Sequence, residues 1–123
     1  MNRIAFDSFI EHWCYPSPKD EKGDKKEICD LLILFGDKLV IVSVKNYEFK
    51  DFYSRYFRRT IEKAIKQIYG AERKLLSSEK DIFIKHPKRD VERFPKEKIK
   101  EIHRVIINLG EGVRFYPFNM MLY

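Results

Sequence analysis

Ile28-Cys29-Asp30-Leu31-Leu32-Ile33-Leu34-Phe35-Gly36-Asp37-Lys38-Leu39-Val40-Ile41-Val42-Ser43-Val44-Lys45 is the stretch on which the fold turns. Two runs rich in Ile, Val and Leu, Ile28 to Phe35 and Lys38 to Lys45, flank Gly36-Asp37. A glycine followed by a polar residue between such runs is a hairpin signal. Nearly every position in both runs is apolar, so the hairpin is expected inside a sheet, buried on both faces and covered by helices. A two-residue turn sets Phe35 opposite Lys38, and the same register sets Asp30 opposite Ser43 and Ile28 opposite Lys45. Side chains alternate with period two, which puts Asp30, Ser43 and Lys45 on one face together with Ile28, Leu32, Leu34, Leu39 and Ile41. A carboxylate, a hydroxyl and an amine thus gather at one end of an apolar surface, where an unpaired charge is costly to bury. Two arrangements answer that cost. One is an Asp30–Lys45 cross-strand salt bridge at a wet sheet end. The other is a metal site, with Asp30 holding a hard divalent cation while Lys45 serves a water or a transition-state phosphate.

The flanking sequence reads as one mixed α+β domain covering 1–123. Phe6, Phe9, Ile10 and Trp13 recur at helical spacing and predict a short amphipathic helix with Asp7 near its start. Pro16 and Pro18 end it. Residues 19–26 form a charged, glycine-containing loop. Phe57, Ile61, Ala64, Ile68, Ala71 and Leu75 make one stripe of a long helix over about 51–76. A short strand is expected within Asp81 to His86, a charged loop from Lys88 to Glu97, and a further strand over Ile102 to Leu109. Gly110-Glu111-Gly112 is a turn after which Val113 to Phe118 returns to pair. No internal repeat or domain boundary interrupts this order.

Composition narrows the function classes. Of the 123 residues, 44% are hydrophobic, enough for one core. The longest apolar runs fall far short of the ~20 residues of a membrane span, so no membrane partner is expected. Met1-Asn2-Arg3-Ile4 leads into charge and aromatics with no signal-peptide h-region. That predicts a cytoplasmic protein whose two cysteines, Cys14 and Cys29, are free thiols. The formal net charge is +6, and its excess lies in the second half. Lys50 to Lys74 holds eight basic and three acidic residues, interleaved with Phe52, Tyr53, Tyr56 and Phe57. Cations beside aromatics suit a phosphate backbone with bases stacking nearby; a solvated basic helix face with ordinary aromatic packing has the same composition.

The order of helix, then Glu27-Ile28-Cys29-Asp30 opening an apolar strand, a turn, Ser43-Val44-Lys45, and a long helix carrying Gln67 resembles the PD-(D/E)XK nuclease superfamily. Trp13-Cys14-Tyr15-Pro16, Phe35-Gly36-Asp37 and Lys66-Gln67-Ile68-Tyr69-Gly70-Ala71-Glu72-Arg73 look like an uncharacterised bacterial branch of that group, over roughly residues 4–76. The resemblance implies a restriction-endonuclease-like mixed sheet with a central β-hairpin flanked by helices. It also implies Mg²⁺ or Mn²⁺ as cofactor, with Asp30 as metal ligand, Lys45 assisting the attacking water and Gln67 as the supporting polar residue. Ser43 occupies the place of the superfamily's second acid. That acid must then come from elsewhere, with Glu62, Glu27 and Glu11 as candidates. Period two puts Glu27 on the opposite face from Asp30 unless the strand entrance is irregular.

Three function classes follow. The first is a metal-dependent nuclease, cutting DNA in preference to RNA, with the backbone held by Arg55, Arg58, Arg59, Lys63 and Lys66. The second is a catalytically retired nucleic-acid-binding relative. The third is a small protein-interaction domain. A core of this size implies a homodimer or a partner domain for target choice. A zinc site from His12, Cys14, Cys29 and His103 lacks any Cys-X-X-Cys or His-X₃-His spacing. Cys14 has no partner nearby in sequence that would make it a nucleophile.

Overall fold

The computed structural model describes residues 11–46, 55–109 and 114–117. It is a mixed α and β structure built on a five-stranded sheet of order β1-β2-β3-β6-β7, with a separate two-stranded β4-β5 ribbon. The strands are β1 (Cys14–Pro16), β2 (Leu31–Phe35), β3 (Lys38–Lys45), β4 (Phe83–Lys85), β5 (Val91–Arg93), β6 (Glu101–Asn108) and β7 (Arg114–Pro117). Among the described residues the single long helix is α1, Arg55–Leu76.

The hairpin forms in the expected register, with Phe35 against Lys38 and Leu31 against Val42. Gly36 has φ +61, while Asp37 keeps a negative φ. Positive φ at the first central residue alone is the type II′ turn, whose twist matches that of the paired strands. The hairpin lies inside the sheet, because β2 also pairs antiparallel with β1 and β3 pairs parallel with β6. The face toward α1 is the more deeply buried; on the other, Leu31 and Val42 are buried while Ile33, Val40 and Val44 are half-buried. Leu32, Leu39 and Ile41 pack with Ile106 against the α1 stripe Ile61, Ala64, Ile68, Ala71 and Leu75. Cys14, Leu31, Val42 and Ile107 form a second apolar cluster. Burying a Leu or Ile side chain contributes about 1.5–3 kcal/mol, so the α1 stripe is what holds the helix on the sheet.

Several boundaries differ from the expectations above. β2 starts at Leu31 rather than Ile28. The backbone before it bonds to the segment following β1: the Ile28 N–H donates to the Pro18 carbonyl, and the Ser17 N–H to the Asp30 carbonyl. Ser17 is in the left-handed region, φ +46, which bends the chain where regular pairing stops. The Tyr15-Pro16 segment is an edge strand rather than a simple helix stop. Pro16, which cannot donate a ladder bond, is accommodated at a strand end on the sheet edge. Of the first helix, residues 6–10 lie outside the described residues, and Glu11–Trp13 is one 3₁₀ turn. The Lys88 to Glu97 loop contains β5, paired with β4, and a 3₁₀ turn at Lys96–Lys98. β7 pairs back on β6 as expected, and the turn at 110–112 lies outside the described residues. No helix among the described residues is long and apolar enough to cross a membrane.

Candidate functional site

β3 and β6 run parallel, so their carboxyl ends, Lys45 and Asn108, lie side by side. In open sheets with covering helices, ligands bind beyond the carboxyl ends of such strands. Asp30, Ser43 and Lys45 of the hairpin lie toward the carboxyl end of β3. Glu27, Ile28, Cys29, Asp30, Val42, Ser43, Gln67, Ile68, Gly70, Ala71 and Lys74 line a cavity of about 290 Å³ between the entrance to β2 and the second half of α1. Its lining combines apolar side chains with carboxylates, a hydroxyl, an amide and an ammonium.

Asp30 sits one residue before β2, past the end of the ladder. Its Oδ2 accepts the Val44 N–H at 2.7 Å, taking the place of the strand carbonyl that β2 no longer supplies. Ser43 is buried, at 3% exposure, and its Oγ has no hydrogen-bond partner among the described residues. Lys45 reaches the helix instead of Asp30: its Nζ donates to Gln67 Oε1 at 2.8 Å. The Asp30–Lys45 salt bridge is therefore not formed. Asp30 is occupied by backbone, and Lys45 is aimed by Gln67.

The three candidate second acids are dispersed. Glu27 borders the cavity with Asp30. Glu11 precedes β1 at the hairpin-turn end of the sheet, where Trp13 meets Phe35. Five strand residues separate that end from Asp30, about 17 Å. There the Glu11 carboxylate accepts from Lys88 Nζ at 2.9 Å and its carbonyl meets the buried His86 ring at 2.8 Å. Because His86 Nδ1 accepts the Lys88 N–H, the ring proton is on Nε2 and is donated to that carbonyl. Glu62 is on α1 but exposed, roughly 140° around the helix from Gln67. Neither Glu11 nor Glu62 lines the cavity.

Arg55, Arg58, Arg59, Lys63 and Lys66 of α1 are all exposed, but they do not share one direction. Lys63 is one turn before Gln67 on the cavity side, and Arg59 and Lys66 follow it around the same flank. Arg55 lies farther round, and Arg58 falls roughly opposite Gln67. Phe57 packs into the core; Phe52 and Tyr53 lie outside the described residues, as does the side chain of Tyr56.

Two site residues were not legible beforehand. Asn108, 2% exposed, is beside Lys45 in the β3–β6 register and shares its face. The signal was a polar residue closing an apolar strand, but its neighbour was unknown. Lys74 borders the cavity and ties the 20–24 loop to α1, with Nζ 2.7 Å from Asp24 and 3.6 Å from Asp20. Gly23 packs so closely on Asp20 that an added Cβ would fall 2.1 Å from its carboxylate.

The thiols are held protonated. Burial raises the Cys14 thiol, and burial followed by the charges of Asp30 and Glu27 raises that of Cys29. Neither is primed as a thiolate nucleophile. Among the described residues, no three His, Cys, Asp or Glu side chains cluster as metal ligands, so the His12, Cys14, Cys29 and His103 set is not assembled. The oxygen donors at the cavity are Asp30, Glu27, Ser43 and Gln67, with the Ser43 Oγ left unpaired. This hard-donor set fits Mg²⁺ or Mn²⁺, which bind through one or two carboxylates and otherwise water and substrate oxygen. No protein-family model, curated protein or solved structure matches the chain.

Proposed function

We propose that the chain is a metal-dependent nuclease of the PD-(D/E)XK type, with a restriction-endonuclease-like core, acting on DNA in preference to RNA. The observation that carries this reading is that Asp30, Ser43 and Gln67 border one cavity and that Lys45, at the carboxyl end of β3, is held to Gln67. A salt bridge alone would have joined Asp30 to Lys45; instead each is oriented by another group. A divalent cation at Asp30 would lower the pKa of a bound water and stabilise the leaving oxygen.

The chain's own residues then have distinct tasks. Asp30 offers the cation the carboxylate oxygen that Val44 leaves free. Gln67 holds the Lys45 ammonium at the site, where it donates to a phosphoryl oxygen and offsets charge developing in the transition state. The water gives up a proton to solvent as its oxygen bonds to phosphorus, the P–O ester bond breaks, and the departing oxygen takes up a proton from solvent. Arg59, Lys63 and Lys66 flank the cavity and hold neighbouring phosphates.

Ser43 in place of an acid favours a second reading, a retired relative that binds nucleic acid without cutting it. Incubation with duplex DNA separates the two. The nuclease reading expects Mg²⁺-dependent cleavage that stops in excess chelator, returns on adding Mg²⁺, and is lost in Lys45→Ala. Binding without cleavage under all these conditions supports the retired form. Cleavage unaffected by chelator overturns the nuclease assignment to this site.

A further inference from the structure

Resting on the nuclease reading, we infer that Glu27 supplies the second carboxylate of the cation site and the Ser43 hydroxyl a third oxygen. Were 27–30 a regular strand, Glu27 and Asp30 would point to opposite faces. The segment is not a regular strand, and Glu27, Ile28, Cys29 and Asp30, four consecutive residues, each contribute to the border of one cavity. The segment is held in this irregular path from outside. Lys19 bridges Glu27, the Ile28 N–H bonds the Pro18 carbonyl at 2.7 Å, and the Ser17 N–H bonds the Asp30 carbonyl at 2.8 Å. Glu27 thus stands on backbone fixed at three points.

Ser43 is the independent observation. Its hydroxyl is buried, borders the same cavity and has no partner among the described residues. A buried hydroxyl left unsatisfied is rare and costly, so the site calls for an oxygen-seeking occupant. The nearby cations do not fill that need. The Lys74 ammonium is engaged by Asp24 and Asp20, and that of Lys45 by Gln67. Two carboxylates, one hydroxyl and no competing ammonium are what a hard divalent ion takes up, with water completing its shell. The acid expected at position 43 is therefore replaced across the cavity, where Ser43 leaves room for it.

Titration of the full chain with Mn²⁺ alone, followed by calorimetry or by the Mn²⁺ spin-resonance signal, tests this without any cleavage. The wild type is expected to bind one Mn²⁺. Glu27→Gln and Glu27→Asp each weaken it, the first by about tenfold or more, while Glu11→Gln and Glu62→Gln leave it unchanged. Ser43→Glu in the Glu27→Gln background is expected to restore affinity, because it returns a carboxylate from the opposite wall. If Asp30→Asn abolishes binding but Glu27→Gln matches the wild type, the Glu27 assignment is overturned and the nuclease reading stands. If the wild type binds no Mn²⁺, or Asp30→Asn binds as well as wild type, both are overturned.

Discussion

Asp30 carries a structural task and a functional one, and the two separate by substitution. Its carboxylate terminates the β2–β3 ladder by accepting the Val44 N–H. Asparagine keeps an acceptor oxygen in that place, so Asp30→Asn is expected to cost less than about 1 kcal/mol. Asp30→Ala leaves the Val44 N–H without its acceptor and should cost about 1–3 kcal/mol. Urea unfolding of both variants measures the difference, and equal costs would show that the capping bond contributes nothing. Tyr15 gives a second residue-level test. Burial first, and then the hydrogen bond to Glu92, push its hydroxyl up to about 12. The folded state therefore holds this proton more tightly than the unfolded chain, whose tyrosine titrates near 10. The resulting stability is complete below pH 10 and is lost as pH rises from about 10 to about 12. It amounts to roughly 2–3 kcal/mol, at about 1.4 kcal/mol per pH unit. Melting curves across that window should fall for the wild type and lose most of that slope in Tyr15→Phe.

At the scale of elements, α1 presents a core face, a cavity edge and a basic flank as successive stripes. Neutralising Arg59, Lys63 and Lys66 together is expected to weaken DNA binding and flatten its dependence on salt, by up to about 0.9 in log–log slope for each phosphate that is no longer neutralised. Arg58→Gln, on the far side from Gln67, should change that slope little. Salt titrations of DNA affinity check both, and equal effects would mean that the backbone crosses α1 by another path. The stripe itself was legible because six apolar residues over five turns establish a period. The hairpin was legible for a similar reason: Gly36 supplies the one positive φ its turn requires, and long runs flank it. β1 and β5 escaped because three residues cannot establish a period, and β5 is mostly charged. The face of Glu27 was left open by the same logic that placed Asp30. Period two reaches back through Ile28 only if the strand does, whereas pairing between β2 and β3 begins only at Leu31.

For the whole molecule, the surroundings of Lys45 are completed because β6 returns parallel to β3. That pairing brings Asn108 beside Lys45 across 63 positions of sequence, a neighbourhood no local pattern encodes. The cavity itself lies between the entrance to β2, the carboxyl-terminal half of β3 and α1. Two oxygen donors of the candidate site, Asp30 and Ser43, were thus readable from the hairpin alone, but their common cavity with Glu27 and Gln67 and the separation of Lys45 from Asp30 were not. The central claim is that Asp30 and its surroundings form the centre that cuts DNA. The measurement that tests it most directly is the single-turnover cleavage rate of duplex DNA at saturating Mg²⁺, for the wild type and for Asp30→Asn shown to be folded. A fall of about a hundredfold or more is expected, equivalent to roughly 2.7 kcal/mol of transition-state stabilisation. Equal rates would contradict the claim and place the activity elsewhere in the molecule.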